Sequence, residues 1–187
     1  MSKFRLKPDI RILGIDDGRF SRGRSESAPL AGVVFRMNST IEKMATAIIT
    51  VDGDDIIPAI AEIIGKTKVR PSLIMTDGVT FAGFNLMDPS ELFSATGVSV
   101  MTIHKGSPDI GAMLSAVRSL HNDSKKKEYI LLSLSPIKVI ITGREYAINL
   151  AGIDLAEAKS VLRKTTINGL LPEPVRLAHM LASTLQR

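Results

Sequence analysis

IRILGIDDGRFSRGRSE, residues 10–26, is the stretch from which the rest of the chain is read. Ile10 to Ile15 is rich in apolar residues and stops at two aspartates, the pattern of a strand that ends on acid. From Gly18 to Pro29 the residues turn to Gly, Ser and Arg, which read as a loop. Successive strand residues face opposite ways, so only one of Asp16 and Asp17 can enter a given site. Asp16, directly after the apolar run, is the candidate; Asp17 faces away or begins the turn. Arg19, Arg22 and Arg24 are either contacts for a phosphate backbone or a solvated loop.

Working outward, Leu30–Met37 and Met44–Val51 read as a second and third strand. Asp54 or Asp55 caps a helix over Ile56–Ile64, whose apolar residues recur at helical spacing. Pro71 to Gly78 carries a continuous apolar run ending in Asp77-Gly78, the mark of a buried, parallel strand. Asp88, Pro89 and Glu91 form a helix start with N-cap, first-turn proline and capping-box acid. Val98–Ile103 is a further strand, ended by His104-Lys105-Gly106, and Pro108-Asp109 opens a helix to about Leu120. His121–Glu128 reads as a charged turn, with Lys125, Lys126 and Lys127 solvated. Tyr129–Leu134 and Lys138–Thr142 read as strands or edge segments, Ile153–Arg163 and Pro174–Leu185 as helices. Early strands close together, then strand and helix in alternation, give an α/β fold with a mixed sheet and helices on its faces.

Composition narrows the function. The 187 residues are 44% hydrophobic and 23% charged, a globular balance, and are expected to form one domain over residues 1–187. Cysteine is absent, which excludes disulfides, thiolate metal sites and cysteine nucleophiles. No run reaches the roughly 18 apolar residues of a membrane span, and no secretory signal is recognised. A cytoplasmic protein is expected. The net charge of +5 suits an anionic partner such as nucleic acid, while 4% aromatic residues argue against a single-strand binder built on stacking.

The acids fall where a sheet gathers ligands: Asp16, Asp52 to Asp55, and Asp77 all lie at or just beyond strand ends. Carboxylates converging there require a cation between them, Mg²⁺ or Mn²⁺, or have strongly raised pKa values. The competing readings are an Asp-Gly turn for Asp77, N-capping for Asp54 or Asp55, and a solvated charge for Lys105. If the strand ending at Lys105 neighbours the one ending at Asp77, Lys105 reaches the same carboxylates and a phosphate on them. His104, His121 and His179 are far apart without zinc-site spacing. No GxSxG, Walker A or GxGxxG pattern occurs.

GIDDG at 14–18, Asp77-Gly78 followed by VTFAGFN, and the strand ending in HKG together resemble an archaeal family of uncharacterised proteins related to endonuclease V, within the ribonuclease H-like superfamily. The resemblance to that archaeal family spans essentially the whole chain; toward endonuclease V it runs from the first strand to about Lys105. It implies a mixed sheet of three early antiparallel strands, then parallel ones, flanked by helices. It also implies a metal-dependent nuclease on DNA or RNA. Gly14-Ile15-Asp16, Asp77-Gly78 and Lys105 match the first acid, the second acid and the lysine of endonuclease V. Metal ligands would be Asp16, Asp77 and one of Asp54 or Asp55. The family's Phe-Arg-Glu motif, source of its third acid, is missing here, and so is its His-Pro-Arg segment. Base recognition is therefore not carried over. A non-catalytic nucleic-acid-binding or scaffolding module is the alternative.

Overall fold

The computed structural model describes residues 4–7, 9–21, 23–37, 39–120, 124–167 and 169–185. Its first three strands, β1 (Arg11–Asp17), β2 (Ser27–Arg36) and β3 (Thr40–Thr50), form an antiparallel meander. Helix α1 (Ile56–Thr67) follows, then β4 (Leu73–Asp77), the small hairpin β5 (Thr80–Phe81) and β6 (Asn85–Leu86), and α2 (Pro89–Thr96). Next come β7 (Ser99–Lys105), α3 (Ile110–Leu120), α4 (Lys125–Ser133), β8 (Ile137–Ile141) and β9 (Arg144–Ala151). Helices α5 (Leu155–Thr165) and α6 (Glu173–Thr184) close the order.

The main sheet runs β3-β2-β1-β4-β7-β9-β8. β1, β4 and β7 are parallel, while β9 and β8 return antiparallel to β7. The expected order of three antiparallel strands followed by parallel ones is present, extended by an antiparallel pair. Leu13, Ile15, Ile74 and Val100 project to one face, where they meet Ile56, Ile60 and Ile63 of α1 and Leu92 of α2. Ile12, Met75, Met101 and Ile103 project to the other, against Ala158, Val161 and Leu162 of α5 and Val175 of α6. Each such fully buried aliphatic side chain stabilises the fold by roughly 1.5–3 kcal/mol before chain entropy is counted.

Gly14 fixes how closely α6 approaches. A Cβ there would stand 2.0 Å from the Pro174 carbonyl oxygen, so the first turn of α6 lies directly on β1. The rest of α6 then runs over the strand toward its acidic end.

Several expectations are corrected. Tyr129–Leu134 is not a strand: residues 125–133 are α4, because Lys127, Ile130 and Leu131 share a buried helix face, with Leu134 packed on the same cluster. A short apolar run suits either element, and spacing of three and four decides for helix. Lys127 is accordingly buried rather than solvated. The expected charged turn at 121–128 lies outside the described residues at 121–123, and is helical from Lys125. Finally, β9 was not expected; it forms a hairpin with β8 through Thr142 and Gly143, both at positive φ as a type I′ turn requires. Among the described residues no helix is long and apolar enough to cross a membrane.

Candidate active site

β1, β4 and β7 run parallel, so their C-terminal ends open on one edge of the sheet. The β1–β4 register pairs Gly14 with Met75 and Ile15 with Thr76; one step further lie Asp16 and Asp77. Both therefore belong to the face that α6 covers. Asp77 pairs with Ile103 in turn, and Lys105, two residues on, returns to that same face. Its Nζ stands 3.5 Å from Asp77 Oδ2.

α6 completes the group with a residue that sequence reasoning missed. His179 Nδ1 is 2.7 Å from Asp16 Oδ2, across 163 positions of chain. The imidazole remains 59% exposed while the carboxylate beneath it is buried. The one sequence signal was the shared helix face of Val175, Ala178, His179 and Ala182. Asp16 Oδ1 also accepts the Asp17 N–H at 3.0 Å. Burial pushes the Asp16 carboxyl up to about 6, and the neighbouring Asp17 charge adds to this; the His179 hydrogen bond and charge pull the other way but do not prevail.

Asp17 turns to the opposite face, where its Oδ2 accepts the Ala82 N–H at 2.8 Å. Burial raises its pKa as well, opposed by that hydrogen bond and assisted by the Asp77 charge. On this side His104 lies against Gly78: a Cβ on that glycine would be 3.1 Å from the His104 ring. Burial lowers the pKa of His104 against the pull of Asp77, and its buried Nε2 has no hydrogen-bond partner among the described residues.

Asp54 and Asp55 stand differently from Asp16 and Asp77. Asp55 occupies the N-cap position of α1 but its side chain makes no capping bond, contrary to the capping expected of it. It accepts instead from Thr50 N and Oγ1 and from Asn85 Nδ2, at 2.5 to 3.1 Å. Burial would raise its pKa, yet those donors hold it below the usual carboxylate range. Asn85 Oδ1 takes over the capping, accepting Ile56 N–H at 3.2 Å. Asp54 is exposed and pairs with Lys127 Nζ at 3.2 Å. Among the described residues, no three His, Asp or Glu side chains form a group that could hold a metal ion.

Arg19 lines an open groove with Asp17, Phe20, His179 and Ser183, immediately beside the acids. Arg24 is exposed in the β1–β2 loop, its N–H on the Ser21 carbonyl. Arg22 lies outside the described residues.

Comparison with known proteins bears on family and fold. A family model described as endonuclease dU matches residues 8–186. A UPF0215 protein of Methanopyrus kandleri is 37% identical over 183 residues, covering 95% of this chain and 92% of the relative. Among solved structures, a protein of unknown function from Archaeoglobus fulgidus superposes with a TM-score of 0.81 at 29% identity, over 94% of this chain and 98% of that one. Endonuclease V of Ciona intestinalis, in complex with a 24mer DNA containing an inosine followed by a ribo-adenosine, gives 0.62 at 13% identity, over 93% and 84%. That likeness shows the fold alone: a mixed ribonuclease H-like sheet flanked by helices.

Proposed function

The chain belongs to the endonuclease dU family, and from that premise we propose that it is a divalent-metal-dependent nuclease cutting phosphodiester bonds of nucleic acid. The observation that carries the reading is the in-register pair Asp16 and Asp77, flanked on the same face by Lys105 and His179.

The Asp16–Asp77 pair supplies part of a hard cation's ligand set, the rest of which water and a substrate phosphate would fill. Two carboxylates on neighbouring strands offer the oxygen ligands that Mg²⁺ and Mn²⁺ prefer. The raised pKa of Asp16 marks a buried acid short of positive charge, the condition that a bound cation relieves. Asp16 and Asp77 would hold the ion; Asp54, paired with Lys127 and apart from them, would have to leave that contact to join as third ligand. The ion would polarise the phosphate and lower the pKa of a bound water. His179 keeps the Asp16 carboxylate aimed through Nδ1. Lys105, on a flexible stem, moves from Asp77 toward a substrate phosphate. Arg19 lines the approach of the nucleic-acid backbone, and Arg24 and Arg22 of the same loop, the latter outside the described residues, would add contacts to its phosphates. The unit acts as a single domain over residues 1–187.

The family description supplies the substrate to try first: DNA carrying deoxyuridine. The test incubates the protein with Mg²⁺ or Mn²⁺ and matched oligonucleotides that contain deoxyuridine, inosine, ribonucleotides or no lesion. Metal-dependent cleavage that Asp77→Asn abolishes is the expected result. A second reading, a nucleic-acid-binding module without chemistry, draws on one observation: Asp54 and Asp55 are both engaged away from the Asp16–Asp77 pair. Salt-sensitive binding with no cleavage on any substrate would overturn the nuclease in favour of the module.

A further inference from the structure

Lys127 is 4% exposed, and α4 carries it into the space between two turns beside the acidic edge of the sheet. Its Nζ donates to the carbonyls of Gly53 at 2.6 Å, Phe84 at 2.8 Å and Asp52 at 3.0 Å, and lies 3.2 Å from Asp54 Oδ1. An ammonium has three protons. Three carbonyls accept them, so Asp54 is the fourth and longest contact, held near by charge but not needed to satisfy the amine. Its carboxylate, 55% exposed, can leave without orphaning the lysine.

Two of the carbonyls belong to the Asp52–Asp55 turn and one to the tip of the β5–β6 hairpin. The same two segments are also cross-linked directly: Asp52 N–H donates to Ala82 O at 2.8 Å, and Phe84 N–H to the Asp52 side-chain Oδ1 at 2.7 Å. The hairpin then donates Ala82 N–H to Asp17, the immediate neighbour of Asp16. Ala82 sits at φ 39, a left-handed conformation that a side-chain-bearing residue keeps only when its surroundings enforce it. Bonds from an ionised donor are roughly twice as strong as neutral ones. The lysine adds three such bonds to the junction, beside those that the Asp52 and Asp55 carboxylates accept from Phe84 N–H and Asn85 Nδ2.

We propose that Lys127 is a positioning residue: its buried ammonium locks the Asp52–Asp55 turn to the β5–β6 hairpin, and so sets the position of Asp54 and, through Ala82, that of Asp17, the chain neighbour of Asp16. The effect on metal binding rests on the nuclease reading above; the lock itself does not.

Two measurements separate the claims. The full-length protein is compared with Lys127→Met and with Leu162→Ala, a cavity in the remote α5 core that lowers the melting temperature without touching the junction. Amide hydrogen exchange at Ala82 and Phe84, without metal, reads the lock. Exchange at both should accelerate at least tenfold in Lys127→Met and far less in Leu162→Ala. Equal protection in the two variants would overturn the proposal. Mn²⁺ titration reads the consequence: a tenfold or greater rise in Kd for Lys127→Met, against less than twofold for Leu162→Ala. Unchanged affinity in Lys127→Met would remove its link to the site. Absence of Mn²⁺ binding in the wild type would overturn the metal reading instead, leaving the exchange result to decide the lock. Should Lys127→Met not fold, Lys127→Gln keeps two of the three donors and is read the same way.

Discussion

Asp16 carries a conflict that its surroundings do not resolve: it is buried, beside another carboxylate, and faced by one exposed imidazole. Its carboxyl stands near 6 rather than at the ordinary 3.8. A folded-state pKa above the unfolded one means that the native state holds its proton longer, so stability falls as pH rises from about 4 through 6. Asp16→Asn cannot ionise and escapes that loss. The metal-free variant should therefore be more stable than wild type by about 1–3 kcal/mol at pH 7.5, with the gap closing toward pH 4. Denaturant melts in chelator at the two pH values measure this; a gap that is constant or reversed would refute it. The same substitution should abolish Mn²⁺ binding, the exchange of stability for function expected where a site is held ready for a ligand. Asp16 and Asp77 were legible in the sequence because each directly follows an apolar run, and strand parity then sorts Asp16 from Asp17. His179 was not, because its contact arises only when α6 folds back across the sheet. Lys127 was misread for a related reason: a triple lysine looks solvated until a helix turns one member inward.

At the scale of elements, Gly14 and Glu42 set the frame around the site. Gly14→Ala drives a methyl into the backbone of Pro174, which cannot move as a side-chain tip would. Strain of this kind costs about 1–3 kcal/mol, and here its relief must shift α6 off β1, taking His179 from Asp16. A lower melting temperature together with a further rise in the Asp16 pKa, followed by carboxyl NMR, is the expected pair of changes. Stability loss with an unmoved Asp16 titration would show that α6 keeps its place. Glu42 on β3 binds Arg11 of β1 and Arg36 of β2 at 2.8 Å, tying three strands at the end opposite the acids. The arginine hydrogen bonds, Arg36 first and then Arg11, hold its carboxyl down to about 2. A depressed pKa stabilises the fold above 4.5 and loses that contribution as pH falls toward 2. Glu42→Gln should accordingly melt below wild type at pH 7, with the difference shrinking between pH 4.5 and 2. The elements from Arg11 to Lys105 were readable apart from the two-residue strands β5 and β6, too short to show a period; apolar runs, Asp-Gly and the Asp88 cap punctuate the others plainly. The stretch from 125 to 151 was not. Tyr129-Ile-Leu-Leu satisfies both periods over its short length, and β9 is buried at Tyr146 through Asn149, which hides the alternation of a strand.

Over the whole molecule, the parallel strands decide where charge collects. The β1–β2 loop with Arg19 and Arg24, the end of β7 with Lys105, and the acids of β1 and β4 all sit on one edge of the sheet, although they come from three separate parts of the chain. The net charge of +5 alone does not distinguish a nucleic-acid surface from general basicity. Under the proposed nuclease reading position does, because cations beside an acidic pair that holds an ion would take the phosphates flanking a bound scissile bond, while cations elsewhere would not. The acids repel the same backbone until an ion lies between them, so binding should strengthen when Mn²⁺ is present. Counterion release gives this a measurable slope: each phosphate neutralised contributes about 0.9 to the fall of log K with log salt on duplex DNA. The double variant Arg19→Ala/Lys105→Ala should therefore lower the slope by about 2 and weaken binding on every sequence alike, since phosphate contacts carry no base information. A control pair at the opposite pole of the sheet, Arg5→Ala/Arg70→Ala, should leave the slope within error. Fluorescence anisotropy between 50 and 200 mM salt reads both, at salt levels where such contacts dominate affinity. If the two pairs reduced the slope equally, the chain would bind nucleic acid by diffuse charge, and the edge bearing Asp16 and Asp77 would not be its docking face.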